Sequence, residues 1–146
     1  MFFTLILSSF LTFVELNCEN LFDTRHDSLK NDYEFLPQSS YKWTPYRYWR
    51  KLANLSKTIV ALGYEDLSLV GTASPDNPSR PSERSWHVPD FVALCEVEND
   101  SVLFDLTRRS ALRDVNYDYV MTDSPDERGI DVALLYQPSS FALIQF

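Results

Sequence analysis

The pattern of hydrophobic and polar positions predicts two strands that end in oxygen-bearing side chains. Phe91–Cys95 is a continuous apolar run that ends at Glu96, which is typical of a buried strand covered on both faces. Phe13–Leu16 predicts an earlier strand, and in an extended chain Asn17 and Glu19 fall on the same side of it. Both predicted strands therefore deliver polar side chains at their carboxyl ends.

Two helices are predicted between and after these strands. Pro45–Leu62 carries apolar residues at steps of three and four, with Gly63 expected as its end. Its predicted buried stripe consists of Trp49, Leu52, Leu55, Ile59 and Leu62. Ser101–Leu112 is the second helix, with Asn99 or Ser101 as its N-cap. The basic residues of the first helix are expected on a solvated face, namely Arg47, Arg50, Lys51 and Lys57.

The remaining pattern completes an α/β arrangement. Tyr64–Val88 is rich in Ser, Pro and Asn and predicts a long loop or insertion. Three further strands are predicted at Tyr117–Met121, Ile130–Tyr136 and Phe141–Phe146, with a turn at Asp123–Gly129. A β-helix-β opening followed by strands predicts a mixed sheet covered by helices.

Composition narrows the possible functions. The chain has 146 residues, one ordinary domain, and a formal net charge of −8. This charge argues against a non-specific nucleic-acid coat protein, but it leaves room for a metal-dependent phosphodiesterase because a bound cation inverts the local field. Cys18 and Cys95 are expected to be buried free thiols, and a disulfide stays open if their strands are neighbours.

The N-terminal segment Met1–Leu11 is apolar but too short to span a bilayer. It has the length of a signal-peptide core, yet it lacks a basic start and a small-residue cleavage site. A leader remnant that runs into the first strand is the alternative. No stable membrane span is expected, and both a cytoplasmic and an exported location stay open for a protein of bacterial type.

The acids after the second strand have two interpretations. Glu96, Glu98 and Asn99 could be a solvated strand end that opens a helix, or they could belong to a site. The second polar strand end, at Asn17 and Glu19, favours a site. His26 has no His or Cys at ligand spacing and is expected to be a surface histidine.

Three segments in order resemble a known family. Leu16–Asp23, Leu94–Asn99 and Asp123–Tyr136 are closely similar to the endonuclease/exonuclease/phosphatase superfamily, and the subtype resembles its uncharacterised bacterial members. The superfamily includes pancreatic-type deoxyribonucleases, abasic-site endonucleases, neutral sphingomyelinases and inositol-phosphate 5-phosphatases. The resemblance implies a four-layer α/β/β/α sandwich with the active site at the top of two packed sheets.

The resemblance also implies roles for individual residues. Glu96 matches the metal-binding glutamate, Asn17 the asparagine of the metal and phosphate site, and Glu19 a position near the metal. Glu96 and Asn17 are therefore the expected catalytic residues, and Glu98 the expected supporting one. Arg128 is expected to bind substrate phosphate, with a turn-stabilising role as the alternative. The implied cofactor is Mg²⁺ or Mn²⁺, and the implied substrate is a phosphodiester or phosphomonoester, with nucleic acid as one candidate.

The chain departs from the family pattern in its second half. Family members carry a Gly-Asp-x-Asn segment and a terminal Ser-Asp-His, and neither occurs here, where His26 and His87 are the only histidines. Residues 12–146 are therefore expected to be the N-terminal half of a longer domain, inactive by itself and monomeric at full length. A non-catalytic binding module that retains the fold is the alternative function.

Overall fold

The structure is a computed structural model that describes residues 11–66 and 85–144. The described strands are β1 (Phe13–Leu21), β2 (Tyr64–Asp66), β3 (Ser85–His87), β4 (Phe91–Val97), β5 (Asp118–Met121) and β6 (Asp131–Tyr136). The described α-helices are α1 (Pro45–Ala61) and α2 (Asp100–Phe104), and α2 continues as a π-helical turn, Asp105–Arg109. The predicted α/β class is confirmed.

Four of the strands form one mixed sheet in the order β1-β4-β6-β5. β1 and β4 are parallel, whereas β6 is antiparallel to both β4 and β5. β2 and β3 form a separate antiparallel pair. The parallel β1–β4 pair spans the predicted β-helix-β unit, so the carboxyl ends of these two strands lie at the same edge of the sheet.

The first helix begins at the predicted residue and ends one residue early, at Ala61, so that Leu62 and not Gly63 is its C-cap. The Thr44 side chain accepts a hydrogen bond from the Arg47 amide, and Pro45 occupies the first helical position. Gly63 follows the helix, and a Cβ there would lie 2.5 Å from the His87 carbonyl oxygen, so the close approach of β3 requires glycine.

The buried stripe of α1 differs from the predicted one. Its buried residues are Tyr48, Leu52, Ser56 and Ile59. Trp49 and Leu62 were placed in the stripe wrongly, because their exposed fractions are 41% and 46%. The stripe is rotated by about one position, since Tyr48 packs inward and its hydroxyl donates to Asp105.

The helices cover one face of the sheet. A single hydrophobic cluster joins α1, α2 and the following turn to the inward residues of the strands, including Cys18, Leu21, Val92, Leu94, Val97, Ala133 and Leu135. The opposite face is more open: Phe13 is 63% exposed and Val132 is 47% exposed. The prediction that β4 is covered on both faces is therefore wrong, because Phe91, Ala93 and Cys95 are only half-buried.

The other sequence predictions about the secondary structure are partly confirmed and partly wrong. The second helix is confirmed with Asn99 as its N-cap, whose side chain accepts from the Val102 amide, but its helical turns end at Arg109 and not at the predicted Leu112. The Tyr64–Val88 segment holds β2 and β3 at its ends, and residues 67–84 lie outside the described residues. The strand predicted at Phe141–Phe146 is wrong for residues 141–144, which are irregular. The apolar N-terminal segment lies outside the description apart from Leu11.

The two thiols are free, as predicted. Cys18 is buried, and Cys95 is half-buried on the neighbouring strand. Burial raises the pKa of the Cys18 thiol to about 12. Among the helices of residues 11–66 and 85–144, none is both long and apolar enough to cross a bilayer.

Leu94 provides a test of this core. Its side chain is fully buried at the centre of β4, so Leu94→Ala is expected to lower the free energy of unfolding by about 2–5 kcal/mol. Leu143→Ala removes the same atoms at a site that is 52% exposed, and it should change stability by less than about 0.5 kcal/mol. Urea unfolding measures both, and equal losses would contradict the described packing.

Candidate functional site

The ends of β1 and β4 are irregular in a way that the flat strand pattern does not predict. Between the pairs Asn17–Cys95 and Leu21–Val97, β1 advances four residues while β4 advances two. β4 also has one residue more than β6 over the same stretch, because Cys95 pairs with Val132 and Val97 with Asp131. These β-bulges bend the strands and redirect the side chains at the sheet edge.

The bulges place three residues in a left-handed backbone conformation. The φ angles of Glu19, Asn20 and Glu96 are 53°, 59° and 62°. Residues with side chains adopt this conformation rarely, at a cost of order 1–3 kcal/mol each, and such residues cluster at functional sites. Three unfavourable conformations at one edge therefore indicate a local arrangement that the surrounding contacts enforce.

The Glu96 carboxylate joins the two strand ends. Asn17 Nδ2 donates to Glu96 Oε1 at 3.1 Å, and the Asn20 amide donates to Glu96 Oε2 at 2.9 Å. Asn17 Oδ1 in turn accepts from the Glu19 amide at 2.7 Å. Each carboxylate oxygen has two acceptor positions, so each retains one after these hydrogen bonds. The structure thus brings Asn17 and Glu96 together, as the sequence predicted.

Glu19 contributes to this cluster through its main chain. Its amide donates to Asn17 and its carbonyl oxygen accepts from Lys51, while its side chain is exposed. Its predicted role near a metal stays a prediction.

Lys51 is the residue that sequence reasoning missed. It was expected on a solvated face, but its ammonium donates to the carbonyl oxygens of Glu19 and Asn20, the second at 3.1 Å. Burial lowers the pKa of Lys51. It stabilises the two left-handed residues of the bulge by satisfying their carbonyl groups. Its position three residues after Tyr48 could have indicated the buried side of α1, had the stripe been placed correctly.

Arg128 lies at the rim of the same cluster. Arg128 Nη1 is 3.4 Å from Asn20 Oδ1, and its Nε is 3.5 Å from Asp126 Oδ1. The turn that carries Arg128 is hydrogen-bonded to an earlier loop. The Asn31 amide donates to the Glu127 carbonyl, and the Lys30 ammonium donates to the Asp126 carbonyl. Arg128 therefore supports its own turn and contacts Asn20, whereas its predicted binding of substrate phosphate stays a prediction.

Glu98, which is buried, links the chain after β4 to the end of β1 by hydrogen bonds. Its amide donates to the Leu21 carbonyl at 3.1 Å, and its Oε2 accepts from the Asp23 amide at 2.7 Å. The residue is only 8% exposed, and burial raises the pKa of its carboxyl to about 8, with Asp23, Asp32 and Asp27 adding to the rise. Glu98 holds the backbone on either side of the site, as the expected supporting role requires.

His26 differs from a free surface histidine. Its Nδ1 forms a short hydrogen bond with the carboxylate of Asp32, and the Asp27 amide donates to the same carboxylate at 2.8 Å. Asp32 is 1% exposed, whereas the His26 side chain is 33% exposed. The pair fixes the loop that carries Asn31 and Lys30 and so supports the Arg128 turn.

The donor set at the strand ends fits a hard divalent cation. Such ions take carboxylate and amide oxygen, and Mg²⁺ keeps several waters while using one or two protein carboxylates. Glu96 could provide a carboxylate oxygen and Asn17 its amide oxygen. Within residues 11–66 and 85–144, no three His, Cys, Asp or Glu side chains converge in a group that could hold a metal. A cation here would therefore depend on few protein ligands.

This fold and site define an α/β protein with an oxygen-rich cluster at the carboxyl ends of two parallel strands. The sequence model of the Endonuclease/Exonuclease/phosphatase family matches residues 12–80 and 81–146, and the chain belongs to this family. Membership places it in a superfamily of phosphodiester hydrolases. No curated protein and no solved structure matches the chain.

Glu98 gives a prediction about pH. Because its folded-state pKa is raised, the folded protein binds more protons than the unfolded one between about pH 4.5 and 8, so stability falls as pH rises through this window. The contribution cannot exceed about 1.4 kcal/mol per pH unit. Glu98→Gln, which stays neutral and retains an acceptor for Asp23, is expected to gain stability relative to wild type from pH 5 to pH 8.

Urea unfolding at both pH values measures this difference. Glu15→Gln makes the same chemical change at an exposed position of β1 and is the matched control. If the free energies of unfolding of both variants change equally with pH relative to wild type, the buried charge of Glu98 is not the cause of the pH dependence.

Proposed function

We propose that the chain is a divalent-metal-dependent phosphodiester hydrolase, with Glu96 and Asn17 as the residues that hold Mg²⁺ or Mn²⁺. The observation that carries the proposal is the Glu96 carboxylate, which accepts from both Asn17 and Asn20 at the joined ends of β1 and β4. Family membership supports the class of reaction. The oxygen donors, which a hard cation prefers, support the choice of metal.

The cation would polarise a phosphoryl oxygen and stabilise the negative charge that develops during hydrolysis. The residues of the chain have distinct tasks around it. Glu96 binds the cation, and Asn17 orients Glu96 through its amide while offering its own oxygen. Arg128, exposed at the rim, is placed to bind a phosphate oxygen of the substrate. Lys51 and Glu98 position the strand ends and touch neither cation nor substrate.

The substrate class follows from the same chemistry. A single cation and one exposed arginine recognise a phosphate group, so both phosphodiesters and phosphomonoesters are candidate substrates. The 146 residues contain neither Gly-Asp-x-Asn nor Ser-Asp-His, the family segments expected to supply the base and the phosphate-binding histidine. We therefore propose that this polypeptide alone turns over substrate weakly or not at all.

Metal affinity tests the site without requiring turnover. Wild-type protein is expected to bind Mn²⁺ in a titration followed by electron paramagnetic resonance. Glu96→Gln replaces the carboxylate by a neutral amide and should weaken binding at least about tenfold, within the usual range for loss of a metal-site group.

Glu15→Gln again serves as the control, because Glu15 is an exposed acid on the same strand as Asn17. Identical weak Mn²⁺ binding by wild type, Glu96→Gln and Glu15→Gln would contradict the proposed metal site. That result would favour a non-catalytic binding module with the same fold.

Turnover tests the second part of the proposal. Incubation of the 146-residue chain with Mg²⁺ and bis(p-nitrophenyl) phosphate is expected to release nitrophenol at the rate of the metal alone. Clear release that disappears in Glu96→Gln would show that the chain is active by itself, and the proposed inactivity would then be wrong. Release that persists in Glu96→Gln would place catalysis elsewhere.

A further inference from the structure

The outer side of the helices carries charge opposite to that of the whole chain. Apart from Lys51, which reaches inward to the strand ends, α1 has three basic residues, Arg47, Arg50 and Lys57, and no acidic one, although the net charge of the protein is −8. Residues 106–113 add three arginines and again no acid. Between these two segments runs a cleft of about 460 Å³, the helix groove, lined by Trp49, Ala53, Lys57, Arg109 and Arg113 among others.

Trp49 is the exposed aromatic residue of this groove. Its side chain is 41% exposed, and it touches Tyr48 in an edge arrangement with ring centroids 5.4 Å apart. Neighbouring Ala53 and Ala111 are small, so the groove has room beside the indole ring. An exposed indole with space next to it is a stacking surface for a planar ring.

The basic residues of the groove can contact phosphate. Lys57 is exposed, and none of the ion pairs among the described residues engages it. The Arg109 guanidinium is held over the Phe104 ring at 5.0 Å and by Asp105 at 2.8 Å. Arg113 pairs through Nε with Asp114, an acid that also lines the groove, at 3.3 Å, but its side chain is 66% exposed and its terminal N–H groups are not part of this pair. Trp49 and Lys57 are eight residues apart on one helix, or about 12 Å along its axis, which favours an extended anion over a single small ion.

The helix groove leads towards the strand ends. A second cleft, of about 450 Å³, shares Trp49 and Arg109 with it and continues to Asp23. The Asp23 amide is hydrogen-bonded to Glu98, two residues after Glu96. The two clefts therefore adjoin at Trp49 and Arg109, and the second cleft is the more acidic one, because Asp23, Asp100 and Asp105 line it.

We propose that the helix groove binds single-stranded nucleic acid, with a base stacked on Trp49 and phosphates on Lys57 and Arg113. The combination of an exposed indole with basic residues along a path is the arrangement that binds single strands without sequence preference. The acidic remainder of the protein acts against this only weakly, because charges beyond about 10 Å are screened at 0.1 M salt. The inference goes beyond the proposed metal site and does not depend on it.

Anisotropy of a labelled oligothymidylate at about 0.1 M salt, with chelator and no divalent metal, measures this binding. Wild type is expected to bind, with quenching of tryptophan fluorescence that Trp49→Leu removes. Lys57→Glu is expected to weaken binding about tenfold. Lys42→Glu makes the same charge reversal at an exposed lysine outside the groove and should change affinity less than about twofold. Lys57→Gln, which is milder, should lower the salt dependence.

Three results would overturn the proposal. They are absence of oligothymidylate binding by folded wild type, equal losses in Lys57→Glu and Lys42→Glu, and equal or better competition by polyaspartate of the same charge. The last result would assign the groove to an acidic protein segment. Glu96→Gln should bind the oligonucleotide as wild type does, so failure of the groove and failure of the metal site are seen separately.

Discussion

The structure depends on how two parallel strands of unequal length are joined at one end. β1 carries two more residues than β4 between their last paired positions, and the excess is taken up in a bulge. The carboxylate of Glu96 closes this bulge by accepting from both Asn17 and Asn20. One side chain thus determines the backbone of a neighbouring strand, and the polar groups that it gathers become the candidate site.

Two charged side chains stabilise the left-handed backbone of the bulge by hydrogen bonds. Lys51 reaches from α1 to the carbonyl oxygens of Glu19 and Asn20 in the bulge. Glu98 binds the backbone just beyond, at Leu21 and Asp23. Buried backbone groups that lack hydrogen-bond partners cost folding free energy, so these two charged side chains stabilise the folded backbone. These hydrogen bonds explain why a half-buried lysine and a buried glutamate are tolerated beside the hydrophobic core.

Charge is distributed unevenly over the molecule, and the distribution separates two kinds of chemistry. Acids concentrate after the ends of β1 and β4, where Asp23, Asp32 and Asp27 lie close enough to add to the rise in the pKa of Glu98 that burial causes. Bases concentrate on α1 and on residues 106–113. The proposed cation site therefore lies at the sheet edge, whereas the proposed anion-binding groove lies along the helices.

Much of the fold was predictable because it rests on local patterns. The apolar run of β4, the alternation in β6 and the spacing in α1 each indicate an element without knowledge of its neighbours. The positions of Asn17 and Glu96 at matching strand ends were predictable for the same reason, since parallel strands bring their carboxyl ends together. The strand expected after Phe141 failed because an apolar run forms a strand only where a partner strand offers hydrogen bonds.

The sequence by itself determined the class of fold, the edge at which the site lies and the two residues at its centre. Only the tertiary structure decided the bulges, the left-handed conformation of Glu19, Asn20 and Glu96, and the inward reach of Lys51. The physical reason is that these features are set by contacts between residues more than thirty positions apart. Periodicity describes one segment at a time, whereas a bulge depends on the register between two.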